Sequence, residues 1–197
     1  ELSGKKVAVI DIDPQASAAS WFNRRESETP IMLQAVESNL SQAVEACKEE
    51  GFELVIIDTM PHSERPIATA AQLADLVVIP CGATVLDIEA ISRTIDVVQQ
   101  QNKPAVIVIN RGDPRSKDTE QAAKVLEQYG LPICPVRIMS RKALASAFID
   151  GRAVRELDPG SKGTKEISAS WEWIEQQMGQ GSHAGTCLLY TSDAADE

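Results

Sequence analysis

Aromatic side chains make up only 4% of these 197 residues, with three Trp, three Phe and two Tyr. No basic stretch interleaved with aromatics occurs, so the stacking platform of a single-strand or RNA reader is not offered. Histidine occurs twice, at His62 and His183, too few and too far apart for a metal cluster. The four cysteines stand singly at 47, 81, 134 and 187, which is neither a zinc spacing nor a disulfide framework. That usage fits a reducing cytoplasm. No apolar run approaches the roughly 20 residues of a membrane span, and the opening residues lack the pattern of a secretory leader. Positive charge is also scarce: 19 Lys and Arg face 29 Asp and Glu, for a formal charge of -10. This excludes a constitutively basic nucleic-acid binder but leaves room for a local basic patch.

What is present is concentrated in Val7-Ala-Val-Ile-Asp11-Ile-Asp13-Pro-Gln15, an apolar run that ends on two aspartates and breaks at a proline. Side chains alternate along a strand, so Asp11 and Asp13 project the same way at its carboxyl end. In an open parallel sheet that end is where ligands sit. Two carboxylates there suit a hydrated metal ion or a water awaiting deprotonation. The plainer alternative is Asp13 as a helix N-cap with Pro14 at the first helical position.

Short, β-branched apolar runs predict buried strands at 6–12, 54–58, 75–80 and 104–109, with weaker ones at 31–35 and 133–138. Helical periodicity predicts helices at 14–26, 39–50, 64–73, 85–101, 118–129, 141–149 and 164–178. Strands apolar throughout and alternating with helices indicate a parallel sheet covered on both faces, a doubly wound α/β fold. Right-handed crossovers then gather every strand's carboxyl end on one rim. The length suits one domain, here 1–178. Residues 179–197 are expected to form a disordered tail. From Cys187 onward the tail resembles a translated sequencing adapter, and without its last three acidic residues the formal charge would be -7. Glu1-Leu-Ser-Gly4 reads as the last turn of a helix with a glycine cap, so the domain is expected to be truncated at its beginning. Ile167, Trp171 and Ile174 share a face of the last helix, which predicts core packing, as do Trp21 and Phe22 in the first.

The rim receives Asp11 and Asp13, then Asp58 after Leu54-Val-Ile-Ile57, then Pro80-Cys81-Gly82, then Asn110-Arg111. An aspartate ending four apolar residues matches the Walker B carboxylate, which holds magnesium, often through a water. Asp58 could equally serve a turn, and Asn110 could cap one. Asp58 also lies 45 residues after Asp13, the spacing of a response-regulator receiver in which it would be phosphorylated. Against that, a receiver ends its fourth strand on Ser or Thr and its fifth on Lys-Pro.

The blocks DIDPQ, VIIDTMP, ADLVVIP followed by LDIEA, AVIVINR and PVRIMSRKALASAFIDGRAV, in this order, resemble the ParA/MinD group of deviant-Walker P-loop ATPases. The likeness runs from residue 5 to about 178 and is nearest the small plasmid-partition ParA type. The resemblance implies ATP and Mg2+ as cofactors, with Asp13 positioning or activating the hydrolytic water and Asp11 in the magnesium shell. Asp58 would be the Walker B carboxylate, with Thr59, Met60 and Pro61 opening a switch loop. Asn110 and the stretch Pro135, Val136, Arg137, Ile138 and Ser140 would line the adenine pocket. It further implies an ATP-dependent homodimer, non-specific DNA binding, a small ParB-like adaptor that stimulates hydrolysis, and a nucleoid-associated cytoplasmic location. Arg141, Lys142, Arg152 and Arg155 are the candidate DNA contacts, or else an ordinary solvated face.

One departure stands out. The family's phosphate loop, KGGxGKT[ST], should precede residue 1, and no Gly-Lys-Ser/Thr follows a strand here. Gly160-Ser-Lys-Gly-Thr164 is expected to be a loop before the last helix. The chain as it stands is therefore expected to be inactive toward ATP. Plasmid or chromosome partition is the expected role, with MinD-like or other cargo positioning as the alternative. The acidic final helix argues against a MinD-like membrane anchor. A ligase of the dethiobiotin-synthetase type would need a substrate clamp that Met60-Pro-His-Ser63 does not offer.

Overall fold

The computed structural model describes residues 4–60, 63–179 and 185–190. Six parallel strands stand in the order β2-β1-β3-β6-β4-β5. They are β1 (Val7–Asp11), β2 (Ile31–Gln34), β3 (Leu54–Thr59), β4 (Leu76–Cys81), β5 (Ala105–Ile109) and β6 (Gly185–Tyr190). The helices are α1 (Ser17–Phe22), α2 (Leu40–Glu49), α3 (Glu64–Leu73), α4 (Val85–Gln100), α5 (Asp118–Leu126), α6 (Lys142–Ile149), α7 (Val154–Leu157) and α8 (Lys162–Met178). This is the doubly wound α/β fold that the alternation of patterns predicts.

Each strand feeds two cores because its residues alternate faces. Ala8, Ile10, Val55, Ile57, Val77 and Ile79 pack under α2, α3, α4 and α5. The α2 stripe Leu40, Val44 and Cys47 is buried as its spacing predicts. On the opposite face Val7, Leu54, Leu76, Val78, Val106 and Val108 join Ile174 of α8. The split follows from handedness. Crossovers running from β2 toward β5 put α2, α3 and α4 on one face, and the return from β5 to β6 packs α5 there too before it brings α8 to the other.

Four expectations change. The helix expected at 14–26 shrinks to α1, because residues 13–16 form a turn in which the Ala16 N–H donates to the Asp13 carbonyl at 2.8 Å. The strand expected at 133–138 reduces to bridges of Ile133 with Ile107 and Met139 with Gly112. Pro132 and Pro135 interrupt it and cannot donate to a ladder. Helix α7, too short to show periodicity, was not anticipated. The tail expected to be disordered contributes β6, paired with β3 from Leu54 to Thr59 and with β4 from Leu76 to Val78. Strands β3 and β4 would otherwise face each other with unpaired backbone groups, and a short apolar segment satisfies both. Positions 180–184 and 191–197 lie outside the described residues.

Candidate functional site

Strand register puts Asp11 beside Asp58 at the carboxyl ends of β1 and β3. Asp11 is 2% exposed, and both its oxygens are taken. Oδ1 accepts the Asp13 N–H at 2.9 Å, and Oδ2 accepts the Ala19 N–H at 3.0 Å. Ala19 is the third residue of α1, so Asp11 caps that helix from the preceding strand and faces its positive end. The magnesium-shell role that the resemblance implies for Asp11 thus competes with this anchoring. Asp13 is half-buried and does not cap α1. Its Oδ1 accepts the Gln15 N–H at 2.8 Å, closing a turn around Pro14. Asp58 is 7% exposed, Thr59 is fully buried, and Met60 is half-buried. Pro61 lies outside the described residues.

The turn carries strain. Ala16 sits at φ 51°, ψ 42°, the left-handed region that favours glycine. Ala16→Gly should therefore raise unfolding stability by about 1 kcal/mol, read as a higher urea midpoint at unchanged slope.

Across the rim, Asp87 and Thr84 close a reciprocal cap at the start of α4, with Thr84 Oγ1 2.6 Å from Asp87 Oδ2. Gly82 is required here, because a Cβ would lie 2.2 Å from that carboxylate oxygen. Burial, with Asp87 adding to it, pushes the Cys81 thiol up to about 12, so this cysteine is inert at neutral pH. Cys47, Cys81 and Cys134 are all buried and unpaired as disulfides. Asn110 donates its N–H to the Cys81 carbonyl at 2.8 Å and accepts the Arg111 N–H on Oδ1 at 2.9 Å. It is therefore a turn residue whose side chain still stands on the rim. A cavity of about 460 Å³ opens beside it, lined by Thr84, Asp87, Arg111, Asp118 and Thr119 among others.

Residues 133–140 run along β5, with the Ile138 N–H on the Ile109 carbonyl and the Ser140 N–H on the Gly112 carbonyl. Pro135 and Ser140 are exposed, whereas Ile138 is 9% exposed and Val136 packs on the same core. The Arg137 guanidinium turns inward to the Cys134 carbonyl. Of the six residues expected at a base, the five in this stretch leave only Pro135 and Ser140 fully exposed, and Asn110 is the sixth.

The basic candidates separate. Arg141 is not a free cation: its guanidinium meets Glu166 through two hydrogen bonds, and Glu166 also accepts the Met139 N–H. Lys142, Arg152 and Arg155 are exposed on α6, α7 and the loop between them, with Arg152 2.8 Å from Asp150. Burial pushes the Glu166 carboxyl up, but the bonds from Arg141 and Met139 outweigh it and leave it lowered from 4.5. A lowered carboxylate adds stability that is present above its unfolded value and lost as pH falls through its native one. Glu166→Gln should cost about 1–2 kcal/mol at pH 7 and flatten the loss of stability below about pH 4.5, measured by urea unfolding across pH.

Sequence reasoning missed Arg25. Its side chain is 5% exposed, pairs with Glu156 at 2.8 Å and stacks on Trp21. The Trp21–Arg25 spacing of four was the available signal.

Among the described residues, no three His, Cys, Asp or Glu side chains converge into a metal cage. Carboxylates on adjacent strand ends, Asp58 beside Asp11, instead suit a hydrated magnesium ion completed by water or phosphate oxygens. A backbone cradle for a triphosphate is not among the described residues. Gly160–Thr164 caps α8 through Ser161, which accepts the Thr164 N–H at 3.1 Å, and it follows no strand.

Comparison with known proteins agrees with the fold. The chain is 28% identical over 178 residues to Maintenance of carboxysome distribution protein A of Gloeobacter kilaueensis, covering 88% of this chain and 81% of that one. The protein of the same name in Halothiobacillus neapolitanus is 24% identical over 166 residues, covering 80% and 76%. The septum site-determining protein MinD of Pyrococcus horikoshii, solved with Mg-ADP, shares the fold at TM-score 0.67 and 14% identity, over 90% of this chain and 86% of that one. A family model matches residues 1–154. The chain belongs to the CobQ/CobB/MinD/ParA nucleotide-binding domain family.

Proposed function

We propose that this chain is an ATP-hydrolysing, cargo-positioning protein. The observation that carries this is the register that puts Asp11 beside Asp58 at the ends of two adjacent parallel strands, with Asp13 two residues beyond β1 and its N–H held by Asp11. Asp58 would hold Mg2+ through water, and Asp13 would orient and deprotonate the attacking water. Bound Mg2+ would neutralise charge developing on the transferred phosphoryl group. Asn110, Pro135 and Ser140 would frame the base, and Thr59 and Met60 would lead into the switch.

The phosphates need backbone N–H donors that the described residues do not supply. A groove of about 620 Å³ lies over Val7, Val9, Leu54 and Ile56. Trp171 and Ile167 of α8 wall this groove, and Ile167 is 38% exposed.

ATP binding would drive a homodimer, and Lys142, Arg152 and Arg155 would meet DNA phosphates without sequence preference on the nucleoid. A small adaptor would stimulate hydrolysis and name the cargo. The two relatives named for carboxysome distribution favour the cargo-positioning reading over plasmid or chromosome partition. No helix among the described residues is long and apolar enough to cross a membrane.

The test is a version extended by a phosphate-loop strand and helix. Asp13→Ala should leave its ATP affinity within a few-fold while lowering DNA- and adaptor-stimulated turnover about 10²–10⁴-fold. Undiminished turnover would remove Asp13 from the mechanism.

A further inference from the structure

The loop carrying Asp11 and Asp13 is tied to a distant segment, 148–156, through one buried guanidinium. Arg25 Nη1 donates to the Gly151 carbonyl and to Glu156 Oε2, both at 3.0 Å, and Nη2 donates to Glu156 Oε1 at 2.8 Å. Nε donates to the Thr29 carbonyl at 3.0 Å. The guanidinium carbon lies 4.7 Å from the Trp21 ring centre, and the Trp21 indole N–H reaches the Arg152 carbonyl at 3.4 Å. Bidentate pairing and ring stacking are the uses for which lysine is no substitute.

Two backbones also meet there. A Cβ on Gly151 would lie 2.5 Å from the Arg24 carbonyl carbon, so the chains touch with no side chain between them. Arg24 adds a bond to the Phe148 carbonyl at 3.3 Å.

At the other end, α1 is only six residues long and hangs from Asp11 through the Ala19 N–H. A helix this short transmits displacement as a rigid link. The Asp11–Asp13 turn, α1 and the Arg25 site therefore form one continuous chain of hydrogen bonds, ending on the segment that carries Arg152 and Arg155.

We propose that Arg25 is a positioning residue that makes the aspartate turn and segment 148–156 move as one unit, so that whatever orders the turn also sets the bearing of Arg152 and Arg155. Its consequence for nucleotide rests on the ATP reading above, but the coupling itself is tested without nucleotide.

Amide hydrogen exchange on the full 197-residue chain reads it directly. Glu156→Gln and Arg25→Lys should each raise exchange about tenfold both at 148–156 and at 17–22, leaving 85–100 of α4 unchanged. The double variant should go no further than either single one, because both remove the same contact. Lys5→Gln, which breaks the Lys5–Glu175 pair at 2.6 Å on α8, should move neither segment. Trp21→Phe, milder because the ion pair survives, should loosen the same two segments by less.

Exchange confined to 152–156, an additive double variant, the same pattern from Lys5→Gln, or an equal rise in α4 would each overturn the coupling. In the ATP-binding version, AMPPNP should protect 17–22 and 148–156 together, and only 17–22 once Arg25 is lysine. Protection of neither segment in the parent would count against the ATP reading and leave the nucleotide-free result standing.

Discussion

Titration of the 197-residue chain with a fluorescent ATP analogue and magnesium is expected to show no saturable binding below about millimolar. Micromolar affinity corresponds to about -8 kcal/mol and normally draws on a ring of backbone N–H groups and a lysine around the phosphates. The described rim offers the opposite. Asp11, Asp13 and Asp58 sit together on a chain of formal charge -10. A phosphate charge about 4 Å from one carboxylate meets roughly 4 kcal/mol of repulsion at an effective dielectric of 20. One magnesium ion offsets part of this but supplies no directional donors. The extended version should bind in the micromolar range, and equal affinity in the two would show that the phosphates are held by some other part of this chain.

Replacing Gly151 with alanine should cost about 3 kcal/mol, a large share of a typical domain's stability. Two effects add at one atom. Gly151 adopts φ 68°, where a Cβ costs about 1–2 kcal/mol. That Cβ would also press on the backbone of Arg24 and Arg25 at 2.5–2.6 Å, and overpacking of this kind costs about 1–3 kcal/mol. Backbone cannot rotate aside as a side chain does, so the two segments must part and the Arg25–Glu156 pair must lengthen. Urea unfolding monitored by circular dichroism gives the size. Gly130, at a similar φ of 70° but with nothing near its missing Cβ, provides the control. Its alanine variant should lose only the conformational part, about 1 kcal/mol. Equal losses at the two positions would mean that the close approach at Gly151 contributes nothing.

The architecture could be read from the chain because its strands are uniformly apolar and its helices strictly periodic. Helices α2 and α3 fall where Leu40, Val44 and Cys47 and the residues after Ser63 put them. The aspartates of the rim were likewise visible, since alternation along β1 and a strand-final Asp58 are local properties. Their division of labour was not. Asp11 turns into the N-terminus of α1 and becomes a cap at a separation of eight residues, which no local pattern encodes. Arg141 was read as a phosphate contact because charge is visible in sequence and its partner is not. Glu166 stands 25 positions away and comes beside it only when α8 returns to the sheet. The same holds for Arg25 and Glu156, 131 residues apart. Position 151 looks like any loop glycine until the second backbone arrives against it.

The place of β6 bears on how the molecule assembles. It is the last of the six strands in sequence, yet it joins β2-β1-β3 to β4-β5, and its pairing of Leu54 with Gly185 spans 131 residues. Both sheet halves can form from neighbouring segments, but their junction waits for a contact that closes a loop of 131 residues. Pairings so distant in sequence slow folding. A species with two formed halves and an open seam should therefore accumulate during refolding, exposing the edges of β3 and β4 to other chains until the last strand enters.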